Sequence, residues 1–227
     1  MCRILTLQGE APVDATPFLG AFALRCRASK EFQGDGWGVS WREGNEWRSF
    51  HTLQPIWETA PPVLPPSTLF LVHARSAFRN ERILVENNMP FVEDGLAFAF
   101  NGELRGVRLQ APGDTGAWRL FHMFRRFRAA VGDGLPALRR LDEVVQARSA
   151  YVRALNVIVS DGEEIWVNSR FSEDPDYFTL WRTAATRQGT RVDIVSSERF
   201  DFSLPTVLAW RPLPNGVTLN LRREAAC

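Results

Sequence analysis

The order in which strand-like and helix-like runs succeed one another constrains this chain more than any single motif does. Short runs rich in Val, Leu, Phe and Trp occur at Arg3 to Leu7, Trp37 to Trp41, Leu69 to His73 and Leu96 to Phe100, each bounded by Gly, Pro, Asn or Asp. That composition and punctuation predict β-strands. Between the first two, Thr16-Pro17 leads into FLGAFALRCR, a cap residue followed by proline at the first helical position. Phe18, Phe22 and Cys26 then share one helical face. Trp118, Phe121, Phe124 and Phe127 recur at helical spacing with Arg between them, which predicts a helix from about Asp114-Thr115 to about Val131. A third helical stretch, Leu138 to Arg148, follows the GDGLP break. The last third returns to strands at Leu155 to Val159, Glu164 to Asn168, Tyr177 to Trp181, Val192 to Ser196, Val207 to Trp210 and Val217 to Leu221, with Asp161-Gly162 as a hairpin signal. Strands with one early helix, a helical centre and then hairpins predict an α+β fold with two antiparallel sheets and helices outside. A doubly wound parallel sheet does not fit that order.

A length of 227 residues suits one domain spanning 1–227 and suffices to bury roughly 70% of the unfolded surface. The Pro-rich stretch Ala60 to Pro66 reads as a loop inside it. Charged residues make up 23% and hydrophobic residues 45%, which excludes an intrinsically disordered chain. Against 26 Asp and Glu stand 27 Lys and Arg, a net charge of +1, so there is no electrostatic footprint for nucleic acid or an anionic membrane. The Arg125, Arg126 and Arg128 run reads as a solvated helix face. Cys2, Cys26 and Cys227 are too few and too scattered for a disulfide framework. No apolar run approaches the ~20 residues that span a bilayer, and the expectation is a soluble cytoplasmic protein. His51, His73 and His122 lie at no metal-ligand spacing, and no metal or organic cofactor is expected. Neither a dinucleotide fingerprint nor a P-loop fits GDGWG, and Ser-His-Asp chemistry lacks its nucleophile elbow.

Chemistry enters at the N-terminus. Cys2 is small enough for the initiator Met to be removed, which would make Cys2 both nucleophile and base. An α-amine with a pKa of about 7.7 to 8.0 accepts the proton of a thiol near 8.5. Taken alone, Cys at position two is as well explained by a small residue opening a strand. Further segments follow in order: GDGWGVSW, LVHARSA, NNMPF, LAFAFNGEL, GDT, LNVIVSDGEEIWVNSR and the SSE at Ser196 to Glu198. Together with Cys2 this set resembles the class II glutamine amidotransferases, which are N-terminal-nucleophile hydrolases. MCR and GDGWG look nearest to the free-standing branch that includes the γ-glutamyl hydrolase of ergothioneine synthesis.

The resemblance implies a four-layer αββα sandwich. It implies Cys2 as nucleophile, with the Asn101 amide and the Gly102 N–H as oxyanion hole, although Asn-Gly at a strand end otherwise reads as a tight turn. Arg75, assisted by the backbone of Ser76 and Ala77, corresponds to the arginine that holds the substrate carboxylate. Its guanidinium suits a bidentate grip, and a surface salt bridge is the plain alternative. Asp114 corresponds to the residue that receives the substrate α-ammonium; locally it is an N-cap, a task Thr115 can take over. Asp35, Gly36 and Trp37 correspond to a wall beside the nucleophile. His73 is expected to be structural and Cys26 inert. The activity implied is cleavage of the side-chain amide of glutamine or a γ-glutamyl compound through a cysteine thioester, with a synthase subunit as a possible ammonia acceptor. The alternative is a catalytically silent domain of the same fold that binds a γ-glutamyl metabolite or a synthase partner.

Overall fold

Alternation along the strands builds the layers. The structure, a computed structural model, describes residues 1–59, 62–77, 81–201 and 208–221. In β1 (Arg3–Val13), Leu5 and Leu7 face one way and Ile4 the other, and both faces are buried. A strand covered on both sides must lie inside a layered stack. β1 is the middle strand of a seven-stranded sheet of order β11-β9-β10-β1-β4-β2-β3, and a second, five-stranded sheet runs β12-β8-β7-β6-β5. The first sheet comprises β2 (Trp37–Glu43), β3 (Glu46–Thr52), β4 (Ser67–Ala74), β9 (Trp181–Arg187), β10 (Thr190–Ser196) and β11 (Arg211–Pro212) beside β1. The second comprises β5 (Phe91–Glu93), β6 (Leu96–Arg105), β7 (Tyr151–Ser160), β8 (Ile165–Ser169) and β12 (Val217–Asn220). All the strand pairs are antiparallel.

Three apolar layers hold the stack together. Helix α1 (Thr16–Arg27) lays Phe18, Phe22 and Cys26 on Leu5, Phe70 and Val72 of the first sheet. On the outer face of the second sheet, α2 (Gly116–Val131) and α3 (Gly134–Arg148) pack Phe121, Phe124 and Leu141 on Phe98, Val157 and Trp166. Between the sheets, Ile4, Leu69 and Leu71 meet Ala97, Ala99 and Ile158. This is the expected αββα order. No helix among the described residues is long and apolar enough to cross a membrane.

Several elements differ from expectation for local reasons. Tyr177 to Trp181 is not a strand. After Asp174-Pro175 the chain makes a short helix, α4 (Pro175–Phe178), with proline in its first turn. Its aromatic pair then packs on Ala154 and Met1. β9 begins only at Trp181. The strand expected at Val207 to Trp210 gives way to β11, and Val207 lies outside the described residues. Helix α3 starts four residues before Leu138 because the Asp133 side chain accepts from Leu135 N at 2.8 Å. Thr16 lies inside α1, and Asp14 accepts from its N–H at 2.9 Å. Two strands escape the apolar pattern, β3 because no residue of it is fully buried and β5 because it is only three residues long. Asn101-Gly102 makes no turn: β6 runs straight through it, pairing Asn101 with Asn156 and Gly102 with Leu155.

Candidate active site

Cys2 stands immediately before β1, so the central strand of the first sheet delivers it to the end of the sandwich. Neighbouring β4 ends at Ala74 and delivers Arg75, Ser76 and Ala77 to the same place. The Cys2 sulfur accepts from Ser76 N at 3.5 Å and lies 3.6 Å from Ser76 O. Burial pushes its thiol pKa up, while the Met1 ammonium, the Ser76 N–H and the Arg75 guanidinium pull it down. A cavity of about 610 Å³ opens over the sulfur, lined in part by Cys2, Arg75, Ser76, Ala77, Gly102 and Asp114.

The GDG turn supports this floor from behind. Arg75 N donates to Gly36 O at 2.8 Å, Asp35 N to Arg75 O at 3.2 Å, and Ala77 N to the Asp35 carboxylate at 2.6 Å. These bonds continue the β2–β4 ladder past its last pair, Trp37 with Ala74. Gly36 has φ +106°, and a Cβ there would run into the Asn88 amide and the Thr52 carbonyl, so only glycine fits. Asp35 and Gly36 thus act on the cavity through Arg75 and Ala77. Trp37 faces away, fully buried in the α1-side core.

Arg75 is only 7% exposed. Its Nη1 donates to Leu84 O at 3.2 Å and Asn88 Oδ1 at 3.0 Å, and its Nη2 to Arg82 O at 2.7 Å. Arg82, with φ +53°, turns its carbonyl toward that guanidinium. Three of five N–H donors are therefore used on neutral acceptors, and the Nε–H and one Nη2–H remain. No carboxylate among the described residues pairs with this buried cation, an expensive arrangement unless an anion arrives.

Asn101 is fully buried on β6, and neither its Nδ2 nor its Oδ1 has a hydrogen-bond partner among the described residues. The next residue, Gly102, lines the cavity, and a Cβ on it would collide with the Ala154 carbonyl of β7. His73, on β4 beside Ile4 of β1, is also fully buried. Burial and the nearby Arg75 push its pKa down to about 3, so it is a neutral imidazole. Asp114 also lines the cavity, 83% exposed at the side chain, with its carboxylate 3.9 Å from Arg82 Nη1. Thr115 caps α2 by accepting from Trp118 N at 3.3 Å, which leaves Asp114 free of that task.

Near Cys2 lies a set of side chains with no signal in the sequence. The Met1 ammonium pairs with Glu31, and the Met1 carbonyl accepts from Gln33 Nε2 and the Tyr177 hydroxyl, each at 2.5 Å. Arg153 of β7 ties Glu31 at 3.3 Å to Glu103 of β6 at 3.4 Å. These contacts join residues 1, 31, 33, 103, 153 and 177, and no motif spacing links them. Cys26 lies on the buried face of α1, where burial carries its thiol far above the ordinary range.

Two antiparallel sheets between helical layers, with a cysteine ahead of the central strand, define the fold of the N-terminal-nucleophile hydrolases. Residues 1–185 match the family described as class-II glutamine amidotransferases, and the chain belongs to that family. It is 24% identical over 246 residues to "Putative glutamine amidotransferase YafJ" of Escherichia coli strain K12, covering 96% of this chain and 92% of that one. Among solved structures, a glutamine aminotransferase class-II domain protein from Silicibacter pomeroyi superposes with a TM-score of 0.59 at 18% identity, covering 97% of this chain and 94% of that one. A predicted glutamine amidotransferase from Pseudomonas aeruginosa gives 0.57 at 18% identity, covering 97% and 93%. The glutamine phosphoribosylpyrophosphate amidotransferase of B. subtilis gives 0.52 at 16% identity, covering 86% of this chain and 42% of that one.

Proposed function

We propose that this protein hydrolyses the side-chain amide of glutamine or of a γ-glutamyl compound through a thioester on Cys2, freed as the N-terminus by removal of Met1. One observation carries the reading: a buried cation suited to a carboxylate stands next in sequence to the residue that touches the Cys2 sulfur. Arg75 is a buried cation without a counter-anion, and Ser76 N–H holds the Cys2 sulfur. A carboxylate on the free N–H groups of Arg75 directs the rest of the molecule along the cavity toward the thiol, and Asp114, another lining residue that pairs with Arg82 beside Arg75, suits the α-ammonium on the same carbon.

In this mechanism the α-amine of Cys2 takes the thiol proton as sulfur bonds to the amide carbon, and the carbonyl π pair moves to oxygen. Asn101 Nδ2 and the Gly102 N–H receive that oxyanion, which gives the orphaned Asn101 amide its partner. The resulting ammonium returns its proton to the departing nitrogen, the C–N bond breaks, and ammonia or an amine leaves. Water, deprotonated by the same amine, then attacks the thioester and releases the γ-carboxylate and the thiol. Whether the ammonia passes to a synthase subunit is read by testing for a rise in glutaminase activity on complex formation.

The deciding experiment is the intact mass before and after incubation with 6-diazo-5-oxo-norleucine, with Cys2→Ala as control. The expected result is loss of Met1 and one adduct that Cys2→Ala fails to form. A retained Met1 with no adduct refutes the mechanism and favours a catalytically silent binding domain.

A further inference from the structure

The grip on Met1 is far more elaborate than an ordinary chain end requires. Gln33 is fully buried, its Nε2 donating to Met1 O at 2.5 Å, to Glu31 O at 2.6 Å and to Tyr177 Oη at 3.1 Å, while its Oε1 has no partner. Tyr177 is 4% exposed, and the Arg3 guanidinium lies 3.7 Å from its ring centroid. Arg3 also donates to the Tyr177 carbonyl at 2.9 Å, so ring and backbone are both fixed. Within a peptide unit the carbonyl oxygen lies about 2.2 Å from the next nitrogen. The two groups that hold Met1 O at 2.5 Å therefore lie within about 4.7 Å of the Cys2 nitrogen.

We infer that this cradle is the seat of the catalytic amine: once Met1 is gone, the Tyr177 hydroxyl and the Gln33 side chain turn from the lost carbonyl to the α-amine of Cys2, with the Tyr177 O–H donating to its neutral form. The inference rests on the N-terminal-nucleophile reading above and adds to it two positioning residues. Loss of Met1 strips the Tyr177 hydroxyl of its acceptor, while the two Gln33 N–H groups keep Glu31 O and Tyr177 Oη and the buried Gln33 Oε1 still lacks a partner. A neutral amine has one lone pair for the phenol and two N–H groups, one of which suits Gln33 Oε1. Burial holds the phenol protonated, so it remains a donor throughout the working range. A donor on the neutral amine favours the base over the ammonium, which is the form that accepts the thiol proton. Glu31 works in the opposite sense, since a carboxylate beside the amine favours the ammonium.

Other charges face the same point from every packed element: Arg3 of β1, Arg75 beyond β4, Asp35 before β2, Glu103 of β6, Arg153 of β7, and Glu198 beyond β10, which is paired with Arg3. All are common to the wild type and the variants below, so they set the starting pKa and not the difference. Tyr177→Phe removes one oxygen and leaves the Arg3 stacking in place. Glu31→Gln keeps the shape of the side chain. Each full-length protein is trimmed with methionine aminopeptidase, checked by intact mass, and assayed for glutamine hydrolysis across pH.

With Tyr177→Phe, the acid limb of kcat/KM is expected to move up by about half to one pH unit, and kcat near neutrality to fall about tenfold at unchanged KM. With Glu31→Gln the same limb is expected to move down. Gln33→Met is a second probe of the cradle, expected to lower kcat without changing KM. An acid limb unmoved in Tyr177→Phe, or moving the same way in both variants, overturns the inference. Wild-type protein that neither hydrolyses glutamine nor forms the norleucine adduct defeats the underlying mechanism, a distinct failure.

Discussion

Replacing Asn101 with alanine should separate folding from turnover, with opposite signs. The side chain is fully buried, and both its amide atoms lack partners among the described residues. An unsatisfied buried polar group costs about 1–3 kcal/mol, and the native state carries that penalty on the Asn101 amide at a position where alanine carries none. Against this stands a void no larger than an amide group, worth on the order of 1 kcal/mol at ~24 cal/mol per Å³. The balance predicts a variant as stable as the wild type or more so by up to about 2 kcal/mol. At ~2–4 °C per kcal/mol for a chain of this size, its thermal midpoint should be unchanged or several degrees higher. Under the proposed mechanism turnover should meanwhile fall roughly 10²–10³-fold, the loss expected for one oxyanion donor, with little change in KM. Scanning calorimetry and a coupled glutaminase assay read the two quantities on one preparation. A midpoint more than about 3 °C lower, with turnover intact, would mean that Asn101 is a structural hydrogen-bonding residue and would refute the reasoning.

Gly102→Ala should be lost to folding as well as to catalysis, because its Cβ meets the Ala154 carbonyl of the paired strand; far-UV circular dichroism and soluble yield report it. His73 is held neutral, its pKa pushed down to about 3 from an unfolded value of about 6.5. The unfolded chain therefore binds the extra proton first, and stability should be full above pH ~6.5 and decline below it by up to about 1.4 kcal/mol per pH unit. Urea midpoints between pH 7.5 and 5 should show this slope, and His73→Gln should flatten it; an equal slope in both proteins would disprove the assignment. Asp14→Ala should cost about 1 kcal/mol at pH 7 by removing the acceptor for Thr16 N–H. The Thr16 bond holds the Asp14 carboxyl below its usual pKa, so this difference should vanish as pH falls through that lowered value. Iodoacetamide on the folded protein, followed by peptide mapping, should leave Cys26 unlabelled at pH 8; labelling there would show that α1 detaches.

Elements with a strong apolar period were legible in the sequence, because burial on one face is what places them. Phe18, Phe22 and Cys26 seat α1, and the Trp118 to Phe127 stripe marks α2. Tyr177 to Trp181 misled because aromatic and β-branched residues suit strands and buried helical turns alike; Asp174-Pro175 was the stronger signal, for proline favours the first helical position. Cys2, Arg75 and Asn101 stand out only through the resemblance to the class II glutamine amidotransferases that the order of segments carries, since read locally they are a strand opening, a salt-bridge arginine and a turn. Asn101-Gly102 shows the limit of local reading, since the pair forms turns elsewhere and here runs through a ladder fixed by Asn156 and Leu155. Gln33, Tyr177, Glu31 and Arg153 were invisible. Their neighbours are set by tertiary packing across as many as 176 residues, and their residue types are ordinary for a surface.

The position of β1 has a consequence for how the protein matures during synthesis. The strand behind Cys2 leaves the ribosome well before its partners, for it lies between β4 and β10, and β10 ends only at Ser196. Tyr177, which closes on Met1, also emerges late. At translation rates of about 5–20 residues per second, roughly ten to forty seconds separate the appearance of residue 1 from that of its partners. During that interval Met1 is open to a processing peptidase, and afterwards it is held by Glu31, Gln33 and Tyr177 inside a folded end. Excision and folding thus race each other. A chain produced faster than its peptidase can act should accumulate as a folded, Met1-bearing fraction whose own first residue occupies the cavity.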